Sequence, residues 1–74
     1  MSACVYATEI TSESEKSMRV RVAANMLDAW IDLDVVVETQ NADIALEHAQ
    51  DKLIRAFEQV AGELRDRGLH LQGQ

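Results

Sequence analysis

The chain has 74 residues, the length of one small domain, and its single cysteine, Cys4, excludes an internal disulfide. A formal net charge of −6 argues against direct nucleic-acid binding, which needs a basic surface to neutralise phosphates. A fold of this size buries only about 60% of the surface that its unfolded chain exposes. With no disulfide and no Cys/His cluster at metal-ligand spacing, self-association is the remaining support to expect.

No apolar run approaches the ~20 residues of a membrane span, and the N-terminus lacks the basic-then-apolar pattern of an export signal. A lone thiol and no export signal predict a cytoplasmic protein with no membrane association. The absence of proline and the presence of only three glycines leave few forced breaks, so most of the chain should be regular structure.

The first predicted element is a strand over residues ~3–11, where Cys4, Val5, Tyr6, Thr8, Ile10 and Thr11 favour the extended chain. Alternation puts Cys4, Tyr6, Thr8 and Ile10 on one face and Val5, Ala7 and Glu9 on the other, and neither set is clearly the buried one. Ser12 to Ser17 is polar throughout and reads as a mobile loop.

Two further strands, residues ~18–24 and ~30–39, alternate cleanly. Met18, Val20, Val22 and Ala24 oppose Arg19, Arg21 and Ala23; Ile31, Leu33, Val35 and Val37 oppose Asp32, Asp34, Val36 and Glu38. A tight antiparallel connection through Asn25 to Ala29 permits two registers that share the apolar face. One sets Arg21 opposite Asp32 and Arg19 opposite Asp34, and the other sets Arg21 opposite Asp34. The intervening register would bring arginines beside leucine and valine, and burial excludes it.

The last element is a long amphipathic helix over residues ~42–67. At 100° per residue Leu46, Leu53, Phe57, Val60 and Leu64 form one line, flanked by Ala42, Ala49, Ala56, Ala61 and Ile54. Asp51, Lys52, Arg55, Glu58 and Asp66 lie opposite. Asn41 caps the first turn, with Asp43 and Glu47 near the positive end of the dipole. Arg65 and Arg67 close the last turn ahead of Gly68 at C′, where a Schellman motif would pair Leu64 with Leu69. The whole is a single α+β domain over residues 1–74: a three-stranded antiparallel meander (β-β-β) followed by one long C-terminal helix packed on one sheet face.

Lengths in this arrangement do not match. The helix spans ~39 Å and an eight-residue strand ~26 Å, so about two turns overhang, and the apolar stripe continues through them. Phe57, Val60, Ala61 and Leu64 are therefore the expected oligomer interface, covered by a second copy of the chain.

Chemistry is harder to find. Asp28, Asp32 and Asp34 could share a cation, but Arg19 and Arg21 lie opposite, and a calcium loop needs more oxygen ligands and a glycine turn. His48 falls on the solvent face of the helix, His70 in the tail, and Cys4 has no neighbouring base. No nucleophile–base arrangement and no phosphate-binding glycine motif is present, so neither enzymatic activity nor a metal or cofactor is expected. Met26, Leu27 and Trp30 stand out, because tight turns prefer Asn, Asp and Gly. With Asp32 and Asp34 they form the expected partner-binding surface, unless they fold back to close the open end of the sheet.

Three strands followed by a helix opening on Thr39 to Ala49 resembles the N-terminal part of small antitoxins that sequester a ribonuclease. The glycine-aromatic signature that follows the first strand in those proteins is missing, as is a DNA-binding extension, so the resemblance stops at element order. The expected function is a non-catalytic protein-protein interaction module, a small acidic homo-oligomer that binds and occludes another protein, as phage-encoded inhibitors or antitoxin-like regulators do. In a sharper form Asp32, Asp34, Glu38, Asp51 and Glu58 imitate a nucleic-acid backbone. The alternatives are a small-ligand-binding oligomer and a structural subunit of a larger assembly.

Overall fold

The computed structural model describes residues 4–26 and 28–73. Three strands, β1 (Cys4–Ser14), β2 (Ser17–Asn25) and β3 (Trp30–Val37), precede the helix α1 (Ala42–Arg67). They form one antiparallel sheet in the order β1-β2-β3, and α1 lies on one face over β2 and β3. This is the α+β meander and helix expected from the alternation and the helical stripe.

Of the two permitted β2–β3 registers, the protein adopts the one with Arg21 opposite Asp34 and Met18 opposite Val37. That choice puts Met18, Val20 and Val22 beside Val37, Val35 and Leu33 under the helix. The core is small: Val20, Val22 and Val37 from the sheet meet Ala45 and Ala49 from α1, with Ile10, Met18, Leu33, Val35 and Leu53 packed around them.

β1 settles an ambiguity that its sequence leaves open. Ala7 pairs with Val22, but Glu9 pairs with Arg21, so a bulge takes up one residue between them. An extra residue reverses which face the following side chains occupy. Val5 and Ala7 therefore join Ile10 on the helix side, while Tyr6 and Glu9 join Arg21 and Asp32 on the outer side. Neither alternating set could be the buried one, because the strand changes parity midway.

Ser12 to Ser17 is an ordered hairpin rather than a mobile loop. Strand pairing runs to Ser14 opposite Ser17, and Ser14 Oγ and Ser17 Oγ are 2.7 Å apart. The reason lies 23 residues on from Ser17, where the Gln40 amide donates to the carbonyl of Ser17 at 2.8 Å and to that of Ser14. A polar stretch without an apolar anchor is thus held by one amide from a distant connection.

The helix begins as its cap residue dictates. Asn41 Oδ1 accepts from the N–H of Asp43 (3.0 Å) and of Ile44 (3.3 Å), satisfying two of the four donors a helix start leaves free. Its far end differs from the Schellman expectation. Gly68 takes φ 74° with ψ −175° and donates to the Leu64 carbonyl. With ψ extended, the chain leaves the helix axis instead of turning back over it, so Leu69 is 91% exposed and makes no closing pair with Leu64.

Two outcomes follow. Ala45→Leu forces a large side chain between α1 and fully buried Val20 and Val37, so urea denaturation should show a loss of about 1–3 kcal/mol, while Ala56→Leu on the exposed flank changes little. Gln40→Ala strips a partner from the part-buried Ser17 carbonyl and should lower stability by about 1–2 kcal/mol, with faster amide exchange confined to the β1–β2 turn.

Candidate functional site: an open apolar groove and the outer sheet face

α1 rests on the sheet through its alanines. Ala45 and Ala49 are the buried residues of the helix, and Leu53 is half-buried. Small side chains let the helix axis approach closely, but they are not the centre of the apolar stripe. Seating the alanines rolls the larger residues sideways: Leu46, Ile54, Phe57, Val60 and Leu64 are 37–52% exposed.

Two features set this roll. The connection from Glu38 to Asn41 is short and tied to the β1–β2 turn through Gln40, which fixes where the helix starts. On the β3 side, Lys52 Nζ donates to the Val36 carbonyl at 2.8 Å, so its stem lies against the sheet while its charge stays at the edge.

The displaced side chains wall a groove of about 450 Å³ along the β1 side of α1. Its floor is Val5, Ala7, Val20 and Val22, and its wall is Leu46, Leu53, Ile54 and Phe57. A second groove of about 370 Å³ runs along the β3 side, lined by Leu33, Val35, Ala56, Phe57 and Val60 with Lys52 at its lip. Both are open to solvent along their length. Past Leu53 no described helix residue is buried, so Val60 and Leu64 in the last turns stay about half exposed.

The opposite sheet face is charged and internally satisfied. Arg19 forms a two-pronged pair with Glu13 (2.7 and 2.8 Å) and reaches Asp34 at 3.0 Å. Arg21 meets Asp34 at 3.2 Å and Glu9 at 3.8 Å. The Arg19 hydrogen bond holds the Glu13 carboxyl below its ordinary value. Those from Arg21 and then Arg19 do the same for Asp34. Both guanidinium groups are pushed up in turn, Arg19 first by Glu13 and Arg21 first by Asp34.

Of the expected partner surface, Met26 and Trp30 are exposed beside the β2–β3 connection. Trp30 is 60% exposed on the outer face, with its indole N–H on Asp32 Oδ2 at 3.2 Å; it does not fold back over the end of the sheet. Leu27 lies outside the described residues. Asp34 is committed to the two arginines, whereas among the described residues Asp32 accepts from the Trp30 indole alone. Asp32 and Asp34 face outward from the sheet, while Asp51 and Glu58 project from the helix on its other side. The five acids expected to imitate a nucleic-acid backbone therefore do not share one surface. Of the expected interface residues, Phe57, Val60 and Leu64 are exposed along the stripe and Ala61 between them is half-buried.

Sequence reasoning did not assemble the β1-side groove. The helical wheel puts Leu46 and Ile54 on or beside the stripe, but Val5 and Ala7 reach the same side only through the bulge. Cys4 is a free, exposed thiol. Among the described residues no group of three His, Cys, Asp or Glu is placed to hold a metal, and no helix is long and apolar enough to cross a membrane. The chain matches no family model and no curated protein, and no solved structure matches it.

The ion-pair face generates a pH dependence. Glu13 and Asp34 titrate lower in the folded chain than their ordinary 4.5 and 3.8, so their contribution is complete above the ordinary range and is lost as pH falls through the lowered values. The raised arginine values lie beyond working pH and add no slope. Melting temperature should fall between about pH 5 and pH 2, and Asp34→Asn should flatten that fall while lowering the plateau near neutrality.

Proposed function

We propose that this chain is a non-catalytic protein-interaction module: a small acidic homo-oligomer that binds a second protein and occludes its working surface, in the manner of an inhibitor or antitoxin-like regulator. The observation that carries this reading is the uncovered stripe on α1. Apolar surface left in water costs about 25 cal/mol for each Å², and a core of three valines and two alanines has little to set against that. A second copy lying along Phe57, Val60, Ala61 and Leu64 removes the cost where the helix overhangs its sheet.

The charges there do not oppose such a contact. The last turns hold Glu63 and Asp66 with Arg65 and Arg67, and Arg67 pairs with Glu63 at 3.4 Å. Trp30 and Met26, exposed together near the hairpin tip, are the residue types that anchor contacts with a different protein. Both surfaces are available at once, since the tip tryptophan faces away from the helix layer. The module would act in the cytoplasm by steric blockade, with no chemistry of its own.

A second reading has one observation in its favour. The β1-side groove, at about 450 Å³, is within the size range of small-molecule sites, so an oligomer could close an apolar ligand between its sheet and helices. Native mass spectrometry of the purified protein distinguishes the two, because a resident ligand adds mass to the folded species and disappears on denaturation.

Sedimentation velocity over micromolar concentrations tests the first reading. The wild-type protein should sediment as a dimer or larger species, and Val60→Asp combined with Leu64→Asp should give a monomer of unchanged helix content. A wild-type protein that stays monomeric at high concentration would overturn the oligomer.

A further inference from the structure

The groove between β1 and α1 differs from the rest of the uncovered stripe in the charge of its border. Helical periodicity places Asp43 and Glu47 on the α1 flank beside Gln50 and Ile54, with Glu58 and Asp51 further round on the solvent-facing crest above the groove. Asp43, Glu47 and Asp51 are spaced four apart, where like charges face one another and destabilise a helix by about 0.2–0.5 kcal/mol per pair. Within the described residues, the ion pair on α1 is Arg67–Glu63, at the far end of the helix. The nearest bases do not neutralise the rim. Lys52 is drawn to the Val36 carbonyl on the other flank, and Arg65 is two turns beyond Glu58. Arg55 stands one turn from both Asp51 and Glu58 and is a single charge beside four acids, with no ion pair to either among the described residues.

The geometry points to a basic amphipathic helix of a partner protein as the occupant of this groove. Its apolar residues would lie on Val5 and Ala7 and against Leu46, Ile54 and Phe57, beside α1 on the same sheet face. Its Lys or Arg residues would reach Glu47, Asp51 and Glu58. A three-stranded sheet carrying one helix over β2 and β3 has room for a second over β1, and the small Val5 and Ala7 allow it to approach closely. A second copy of this chain is the poorer occupant. Under two-fold symmetry it would set its own Glu47, Asp51 and Glu58 against the same acids, in a chain already at −6. The overhang at Val60 and Leu64, where charges balance, carries no such penalty. This inference rests on the interaction-module reading and names the chemistry of the partner.

Fluorescence anisotropy with two labelled synthetic peptides of roughly 18 residues, a length sufficient for a docked helix, tests it. Both carry leucines at alternating three- and four-residue spacing; one has lysines and the other glutamates on the remaining positions. The lysine peptide should bind at least about tenfold more tightly than its glutamate twin at low salt, a gap that narrows as salt rises. Glu47→Lys, Asp51→Lys and Glu58→Lys together should reverse the preference. Ile54→Asp should abolish binding; it makes the protein more acidic, so a merely nonspecific attraction would instead strengthen. Val60→Asp with Leu64→Asp should leave peptide binding intact.

Equal binding of both peptides, lost in Ile54→Asp, would overturn the basic partner while leaving an interaction groove. Failure of both peptides to bind, or tighter binding of the lysine peptide by Ile54→Asp, would overturn the groove as a helix-docking site. The sedimentation result stands apart from these outcomes, so the interaction-module reading and its partner chemistry fail separately.

Discussion

α1 is seated on the sheet by Ala45 and Ala49, and the surface of the molecule takes its character from that seat. A helix whose largest apolar residues faced the sheet would form a thicker core and leave a polar exterior. Here the short connection after β3, tied by Gln40 to the β1–β2 turn, starts the helix where its alanines fall over Val20 and Val37. Close approach improves contact between backbone and sheet, but it turns Leu46, Ile54 and Phe57 toward β1 and leaves Val60 and Leu64 about half exposed. Small residues at the contact and large ones outside are the reverse of what a self-sufficient domain of this size would need.

The two faces of the sheet differ in how they satisfy their side chains. On the outer face the arginines of β2 are paired with acids from β1 and β3, so the charges there are closed among themselves. A surface already satisfied in this way has little free charge to offer. On the helix face the groove is apolar and its acidic border on α1 is unpaired among the described residues. Self-association suits the balanced charges of the overhang, and a basic partner suits the border of the β1-side groove. The two proposed contacts use adjoining stretches of the same stripe, with Phe57 at their junction.

Much of the architecture is legible in the residues. β2 and β3 alternate without interruption, and opposite charges on one side of that alternation narrow their pairing to two registers. Asn41, the 3.6-residue stripe and Gly68 bracket α1. β1 is where such reading fails, because a bulge between Ala7 and Glu9 changes which residues face the helix, and period-two reasoning assumes that no residue is added. The one local trace is that Val5 and Ala7 fall out of step with Ile10. The serine-rich turn fails for a different reason: its order comes from Gln40, a residue remote in sequence.

Sequence alone determined the element types, their order, the excess of apolar helix over sheet and the acidic balance of the chain, because periodicity, capping and charge are local properties. Tertiary structure decided the roll of α1, and with it which side chains are left in water. That roll depends on where a short connection can place the helix and on how closely alanines let it approach, and neither is written in a helical wheel. The same hydrophobic stripe could have been mostly buried; contact through Ala45 and Ala49 made it a surface.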